Sequence, residues 1–495
     1  MTLAQIADIV GGELADISAE DAAATRVTGT VEFDSRKVTS GGLFVALPGA
    51  RSDGHDFAAA AVAAGAVAVL AARPVGVPAI VVEPRVGDQT DTEAGVLEHD
   101  TDGSGAAVLA ALARLASAVA AELVAGGLTI IGITGSSGKT STKDLVAAVL
   151  SPLGEVVAPP GSFNNELGHP WTVLQAGEDT DYLILEMSAR HRGNIAALAA
   201  IAPPSIAVVL NVGTAHLGEF GSREAIAQTK SELPQAVPAS GVVVLNADDD
   251  AVAAMADLTP ARVVRVSRSP GADVWAGPVT LDAQARPRFT LHAAGVEVEV
   301  GLAVHGDHQV SNALCAAAVA LECGATGQQV ASALADAGPV SRHRMHVTDR
   351  PDGVTVIDDA YNANPDSMAA GLKALAWMAR DSGQGAEARR SWAVLGEMAE
   401  LGEDAISEHD RIGRLAVRLD VSRLIVVGTG RSMSAMHHGA VMEGSWGGEA
   451  TMVDDAAAAL ELLRSELRPG DVVLVKASNA AGLGELADAL AGDAR

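Results

Sequence analysis

IIGITGSSGKTSTKDLVAAVL, running from Ile130 to Leu150, passes from an apolar strand through a glycine-rich turn into a helix that opens at a lysine. That geometry aims backbone N–H groups and a helix N-terminus at a phosphate. Lys139 can reach the outer phosphates of a nucleotide there, and the Thr140 hydroxyl can ligate Mg²⁺. The turn is shorter than the general phosphate-loop pattern, which asks for a glycine where this chain has Ile133. Strand, turn, lysine, hydroxyl and helix nonetheless coincide. Thr134, Gly135, Ser136, Ser137, Gly138, Lys139, Thr140 and Ser141 are the expected phosphate cradle.

Working outward, LTIIGIT, DYLILEM, SIAVVLNV and GVVVLNA are short apolar runs bounded by turn residues and separated by helical segments. Such runs indicate a parallel sheet covered on both faces. RFTLHAAGVEVEVGL, near Arg288 to Leu302, alternates like a hairpin. A second series begins near Met345, with VTVIDDA, SWAVLG, RLIVVGT and GDVVLVKA as strands, each followed by a helix except at the first link. That pattern predicts a separate doubly wound domain. The helix from Val310 to Gly324 and the segment after it read as the hinge. Ahead of the phosphate loop, Gly54 to Leu70 reads as helix then strand, Val86 to Gly105 as a polar linker, and Ala106 to Ala125 as an amphipathic helix. The fold expected is α/β in three domains. Residues 1–105 come first, then a central phosphate-loop domain with a mostly parallel sheet over 106–338, then a Rossmann-like domain over 339–495.

A length of 495 residues fits about three cores. The 62 acidic against 34 basic residues give a formal charge of −28, which repels nucleic acid and anionic lipid. It repels a nucleotide as well, so a phosphate ligand must be held locally by N–H groups, a lysine and a metal ion. The start MTLAQIADIVGGEL lacks a basic segment followed by an apolar run, so no signal peptide is expected. Phe57–Ala72 is short for a membrane span and Gly105–Gly127 carries Arg114 and Glu122, so both read as soluble helices. Cys315 and Cys323 read as reduced buried thiols of a cytoplasmic protein.

Ligands of parallel sheets gather at the carboxyl ends of the strands. Glu186 ends DYLILEM, His216 follows the next strand, and Lys230 lies on the helix beyond it. Singly, these residues could be a helix cap, a loop histidine and a solvated lysine. Placed together on successive strand ends beside a phosphate loop, they point to a metal and nucleotide site.

TGSSGKTS, FNNELGHP (Phe163 to Pro170), NVGTAHLGEFGSREAIAQTKSEL (Asn211 to Leu233), GDHQVSNALCAA (Gly306 to Ala317), DDAYNANPDSM (Asp358 to Met368) and VLGEMAELGE (Val394 to Glu403) follow one another along the chain. In this order they resemble the Mur ligases. DSRKVTSGGLFVALPG, from Asp34, with DGHDFAAAA, from Asp53, resembles that family's uridine-nucleotide domain. The resemblance implies an ATP-dependent ligase that joins D-alanyl-D-alanine to the peptide carboxylate of UDP-N-acetylmuramoyl-tripeptide, a step of peptidoglycan synthesis. It implies Thr140 and Glu186 on one Mg²⁺, and His216 with a Lys230 carbamylated by CO₂ at a second. Asn312 would contact adenine, Arg344 and Asp359 the nucleotide, and Ser35, Arg36, Asn164, Asn165, Asn362 and Asn364 the substrate. A cytoplasmic monomer is expected. Three departures stand out: Gln309 replaces a usual asparagine, SRHRM a proline-glycine-arginine turn, and Ala477-Ser478-Asn479 a glycine-serine-arginine. Two alternatives remain, a sibling ligase adding the third amino acid and a phosphate-loop ATPase switch. The sibling's aspartate-asparagine-proline-arginine signature is absent where GTGRSM (Gly428 to Met433) stands.

Overall fold

The computed structural model describes every residue except 50–51, 85–96, 98–99, 214–216, 381–388, 446 and 493–495. Most of the segment read as a linker before Gly105 therefore lies outside the described residues. The chain forms two compact units. One comprises Met1–Gly132, Gly154–Ser188 and Ile195–Ser205. The other comprises Ile133–Leu153, Ala189–Asn194 and Ile206–Arg495. The division falls inside the strand Thr129–Thr134 that leads into the phosphate loop.

In the first unit a five-stranded sheet runs in the order Glu13–Ala15, Ala79–Val81, Ala66–Ala71, Gly42–Val45, Val31–Glu32. Its first pairing is antiparallel and the others parallel. Helix Ala58–Ala64 turns into strand Ala66–Ala71 at Gly65, whose φ is +125°. A Cβ there would come within 2.9 Å of the Ser40 backbone. Helix Ser104–Ala125 is long and apolar enough to cross a membrane by length and composition. Here it lays Val108, Ala111, Leu112 and Leu115, one face at helical spacing, into the core beside Leu3, Ile6 and Val10. Arg114, the charge that disfavoured a span, donates through Nε and Nη2 to the Val10 carbonyl at 3.1 and 2.7 Å. It thereby satisfies an acceptor at the end of helix Leu3–Val10.

In the second unit, strands Ile206–Val209, Val242–Asn246, Arg262–Ser267 and Val274–Ala276 pair in parallel. They pass into an antiparallel hairpin, Pro287–Ala293 with Val296–Gly301, where alternation predicted one. The later sheet has the order His346–Asp349, Thr355–Asp358, Val472–Lys476, Ser391–Leu395, Arg423–Val427, Ala450–Val453. Only its first pairing is antiparallel. The four runs expected as strands are there, together with two edge strands that the apolar pattern did not mark. The strand Thr355–Asp358 does lead into a helix, Pro365–Ala379.

One reading is corrected. Helix Gln309–Glu322, expected as the hinge, packs against the phosphate-loop helix Lys139–Leu150 and is buried from Asn312 through Ala320. An element apolar on every side belongs in a core. Cys315 sits in it, fully buried, and Cys323 follows half-buried, both as free thiols. Burial pushes them up to about 12 and about 11. Neither should react with a thiol reagent at pH 8 in the native protein within minutes, and both should react in denaturant. Rapid native labelling of Cys315 would contradict this packing.

Candidate functional site

Strand Thr129–Thr134 is anchored by Ile130, Ile131 and Ile133, each at most 1% exposed. Burying each such side chain contributes roughly 1.5–3 kcal/mol, so the loop leaves a rigid edge. Ser136 N–H donates to the Asn211 carbonyl at 3.1 Å and Ser137 N–H to Asn211 Oδ1 at 3.0 Å, while Asn211 Nδ2 returns to the Ser137 carbonyl at 3.1 Å. Gly213 N–H donates to Ser136 Oγ at 2.9 Å. Lys139 Nζ folds back on the Gly135 carbonyl at 2.7 Å. Gly138, in the left-handed region at φ +84°, caps the helix, and a Cβ on it would lie 2.7 Å from Asn312 Oδ1. Glycine is thus required twice over. Asn312 in turn donates to Gln309 Oε1 at 2.8 Å. The unusual glutamine supports the asparagine expected at adenine.

Arg344 comes to this loop from the start of the later sheet. Its neighbours His343 and Met345 both have left-handed φ, +58° and +50°. Met345 N–H donates to Asp359 Oδ1 at 3.2 Å and Tyr361 N–H to the His343 carbonyl at 3.1 Å. The guanidinium lies 4.1 Å over the Tyr361 ring and donates from Nη2 to Thr140 Oγ1 at 3.2 Å. Its Nε is buried without a hydrogen-bond partner among the described residues. Arg342 instead is 76% exposed and paired with Asp488. Of the two arginines in SRHRM, Arg344 reaches the phosphate loop.

Asp359 is held by Lys476, whose Nζ donates to Oδ2 at 2.6 Å and to the Asn362 carbonyl at 2.9 Å. Ser478 Oγ accepts from Ala399 N–H at 2.9 Å and donates to the Ala363 carbonyl at 3.3 Å. Both residues therefore brace the DDAYNANP turn. Asn364 caps helix Pro365–Ala379 through the Ser367 N–H at 2.9 Å, and Asn362 is exposed. Lys230, the last residue of helix Arg223–Lys230, is 6% exposed and makes no ion pair with a described carboxylate. Burial, with repulsion from the Lys139 ammonium, holds its amine well below the usual lysine range. His216 lies outside the described residues.

The first unit holds the other expected residues. Glu186 ends strand Tyr182–Glu186 at 3% exposure. Its Oε2 accepts from Ser162 Oγ at 3.0 Å, and Ser162 Oγ accepts from Asn164 Nδ2 at 2.7 Å. Asn165 Oδ1 takes the Gly168 N–H at 2.9 Å. Phe163 and Phe33 both pack on Trp171, with ring centroids 4.5 and 5.9 Å away. Trp171 Nε1 donates to the Val31 carbonyl at 3.0 Å. This ties FNNELGHP to the segment leading into Ser35 and Arg36. Arg36 is exposed and chelated by Asp34, whose carboxyl its hydrogen bonds hold down to about 2. Ser162, Asn211 and Tyr361 are site residues that sequence reasoning did not single out. Asn211 and Tyr361 lay inside quoted blocks, and Ser162 immediately before one.

A phosphate loop touched by an arginine from the start of the later sheet, with a buried lysine close enough to feel the charge of Lys139, defines a nucleotide-using enzyme. The chain belongs to the Mur ligase family. Residues 29–116 match the Mur ligase family catalytic domain, 133–320 the Mur ligase middle domain, and 343–479 the Mur ligase glutamate ligase domain. It is 78% identical to UDP-N-acetylmuramoyl-tripeptide--D-alanyl-D-alanine ligase of Mycobacterium tuberculosis strain H37Rv, across all of this chain and 98% of that protein. Crystal structure I of MurF from Acinetobacter baumannii matches 99% of this chain and 98% of its own with a TM-score of 0.80 and 28% identity. MurF ligase from Thermotoga maritima in complex with ADP matches 94% and 97% with a TM-score of 0.73 and 27% identity.

Proposed function

We infer that this protein is the ATP-dependent ligase that joins D-alanyl-D-alanine to the peptide carboxylate of UDP-N-acetylmuramoyl-tripeptide, completing the pentapeptide precursor of peptidoglycan. Full-length identity of 78% to a ligase of that name supports the substrates. Among the site's features, the reading rests on the buried Lys230 amine near Lys139. A carboxylate resists an amine because oxide is a poor leaving group. In the reading proposed, the tripeptide carboxylate oxygen bonds to the γ-phosphorus of ATP as the bond to ADP breaks. The dipeptide amine then attacks the acyl carbon, phosphate departs, and the amine gives up a proton. Lys139 and Arg344 neutralise the transferring phosphoryl group.

Thr140 and Glu186 are proposed for one Mg²⁺; each taken by itself is a hard oxygen donor almost closed to solvent, the chemistry Mg²⁺ prefers. Bound metal supplies charge neutralisation at the phosphates. His216 and Lys230 are proposed for a second ion. A neutral Lys230 nitrogen adds to CO₂ and loses a proton, which turns a would-be cation into an anionic oxygen ligand. The substrate residues proposed are Ser35, Arg36, Asn164, Asn165, Asn362 and Asn364, and the nucleotide residues Thr134 to Ser141, Asn312, Arg344 and Asp359. The domains proposed are 1–105, 106–338 and 339–495. Two free thiols suit the cytoplasm, where we place a monomer.

The test is phosphate release with ATP and Mg²⁺, omitting each substrate in turn, with products weighed by mass spectrometry. Release that needs both the tripeptide precursor and D-alanyl-D-alanine, with the pentapeptide mass, is expected. A free amino acid replacing the dipeptide on a shorter precursor would make it a sibling ligase. Release without acceptor and without a new amide would leave an ATPase.

A further inference from the structure

We propose that Ser162 is a positioning residue that orients Glu186 as a metal ligand and couples that orientation to the substrate at Asn164. The proposal rests on the roles given to Glu186 and Asn164 above. A serine hydroxyl has one proton to give. Donated to Glu186 Oε2 at 3.0 Å, it leaves the oxygen lone pairs to accept, and Asn164 Nδ2 supplies that bond at 2.7 Å. The direction of the chain is therefore fixed, from amide to hydroxyl to carboxylate, and each bond polarises the next. A carboxylate turns easily about its last torsion. Anchoring Oε2 fixes where the other oxygen points, at a residue 3% exposed where few competing waters reach.

The backbone locks the same loop to the same strand end. Ser188, two residues past Glu186, donates to the Asn164 carbonyl from both N and Oγ, at 3.2 and 3.0 Å. Asn164 can shift its amide toward a peptide carbonyl only by changing its bond to Ser162, so what Asn164 holds alters how Glu186 is held. Linkage makes the effect reciprocal, with substrate changing metal affinity and metal changing substrate affinity by the same factor.

The experiment uses the full chain and Mn²⁺ alone, with free ion followed by electron paramagnetic resonance, with and without the UDP-tripeptide precursor. Wild type is expected to bind Mn²⁺ more tightly when precursor is present. Ser162→Ala should bind it about 10-fold more weakly, the lower end of an outer-shell loss, and should not respond to precursor. Ser162→Thr, which keeps the hydroxyl, should behave as wild type. If the alanine variant fails to fold, Ser162→Cys carries the same expectation, since a thiol is a weak donor. Wild-type affinity and response in Ser162→Ala, with weakened binding in Glu186→Gln, would overturn the relay alone. Unchanged affinity in Glu186→Gln would overturn the metal reading of Glu186 and the relay with it.

Discussion

Lys230→Ala is expected to lose ligase turnover by more than about 100-fold, beyond what losing an outer-shell metal partner costs. Partial return of activity is expected when a short carboxylic acid is added. Lys230 is buried with no described acid to pair with, and burial and the Lys139 charge both press it toward the neutral amine. A neutral amine is the form that adds CO₂, and the small acid would restore an anionic oxygen in the space left. An alanine variant with full activity, or one that no acid rescues, counts against the carbamate. The same burial has a thermodynamic signature. With its folded value below the ordinary 10.5, Lys230 binds its proton more readily in the unfolded chain. Its cost to stability is absent above pH 10.5, grows as pH falls below that, and is constant once pH passes the depressed folded value. Lys230→Met in CO₂-depleted buffer should therefore melt higher than wild type at neutral pH, by about 2–4 °C. The gap should close as pH approaches 10.5. A methionine variant that melts lower at pH 7 would mean the amine has a stabilising partner.

What could be read ahead of the structure was what is local. The phosphate loop declares itself because strand, turn and helix are contiguous, and the parallel strands because apolar runs such as Leu183 to Leu185 and Ile206 to Val209 are buried on both faces. Ala450–Val453 escaped notice because it is a short edge strand in which only Ala450 is buried. Helix Gln309–Glu322 was read as a hinge because its place in sequence, between two alternating series, says nothing of which neighbours enclose it. The contacts that organise the site are distant ones. Asn211 grips Ser137 across 74 residues, Ser162 meets Glu186 across 24, and Arg344 meets Thr140 across 204. No periodicity carries such pairings. Motif blocks narrowed the candidates, but between Arg342 and Arg344 only side-chain direction decides.

That choice makes the second large effect. Arg344→Ala should lower kcat by about 1,000-fold, within the range an arginine contributes at a transferring phosphoryl group, with the KM for the UDP-tripeptide little changed. Arg342→Ala should stay within twofold of wild type, because its guanidinium is exposed and bound only to Asp488. Tyr361 separates a positioned charge from a charge merely present. The guanidinium rests on its ring face and its Nε has no described partner, so the ring and the Thr140 hydroxyl set its direction. Tyr361→Phe keeps the ring face and should retain most activity, whereas Tyr361→Leu removes the attraction of cation for ring and should fall toward the Arg344→Ala level. Equal losses in the phenylalanine and leucine variants would place the function in the tyrosine hydroxyl instead. A severe loss in Arg342→Ala with none in Arg344→Ala would reverse the assignment. Arg344 donates to the same hydroxyl proposed to ligate Mg²⁺, and two cations on one oxygen repel, so its guanidinium is expected to turn away as metal arrives. The neighbouring left-handed residues and the bonds to Asp359 and Tyr361 hold its backbone, so the movement left to it is that of the side chain, from the hydroxyl toward incoming phosphate.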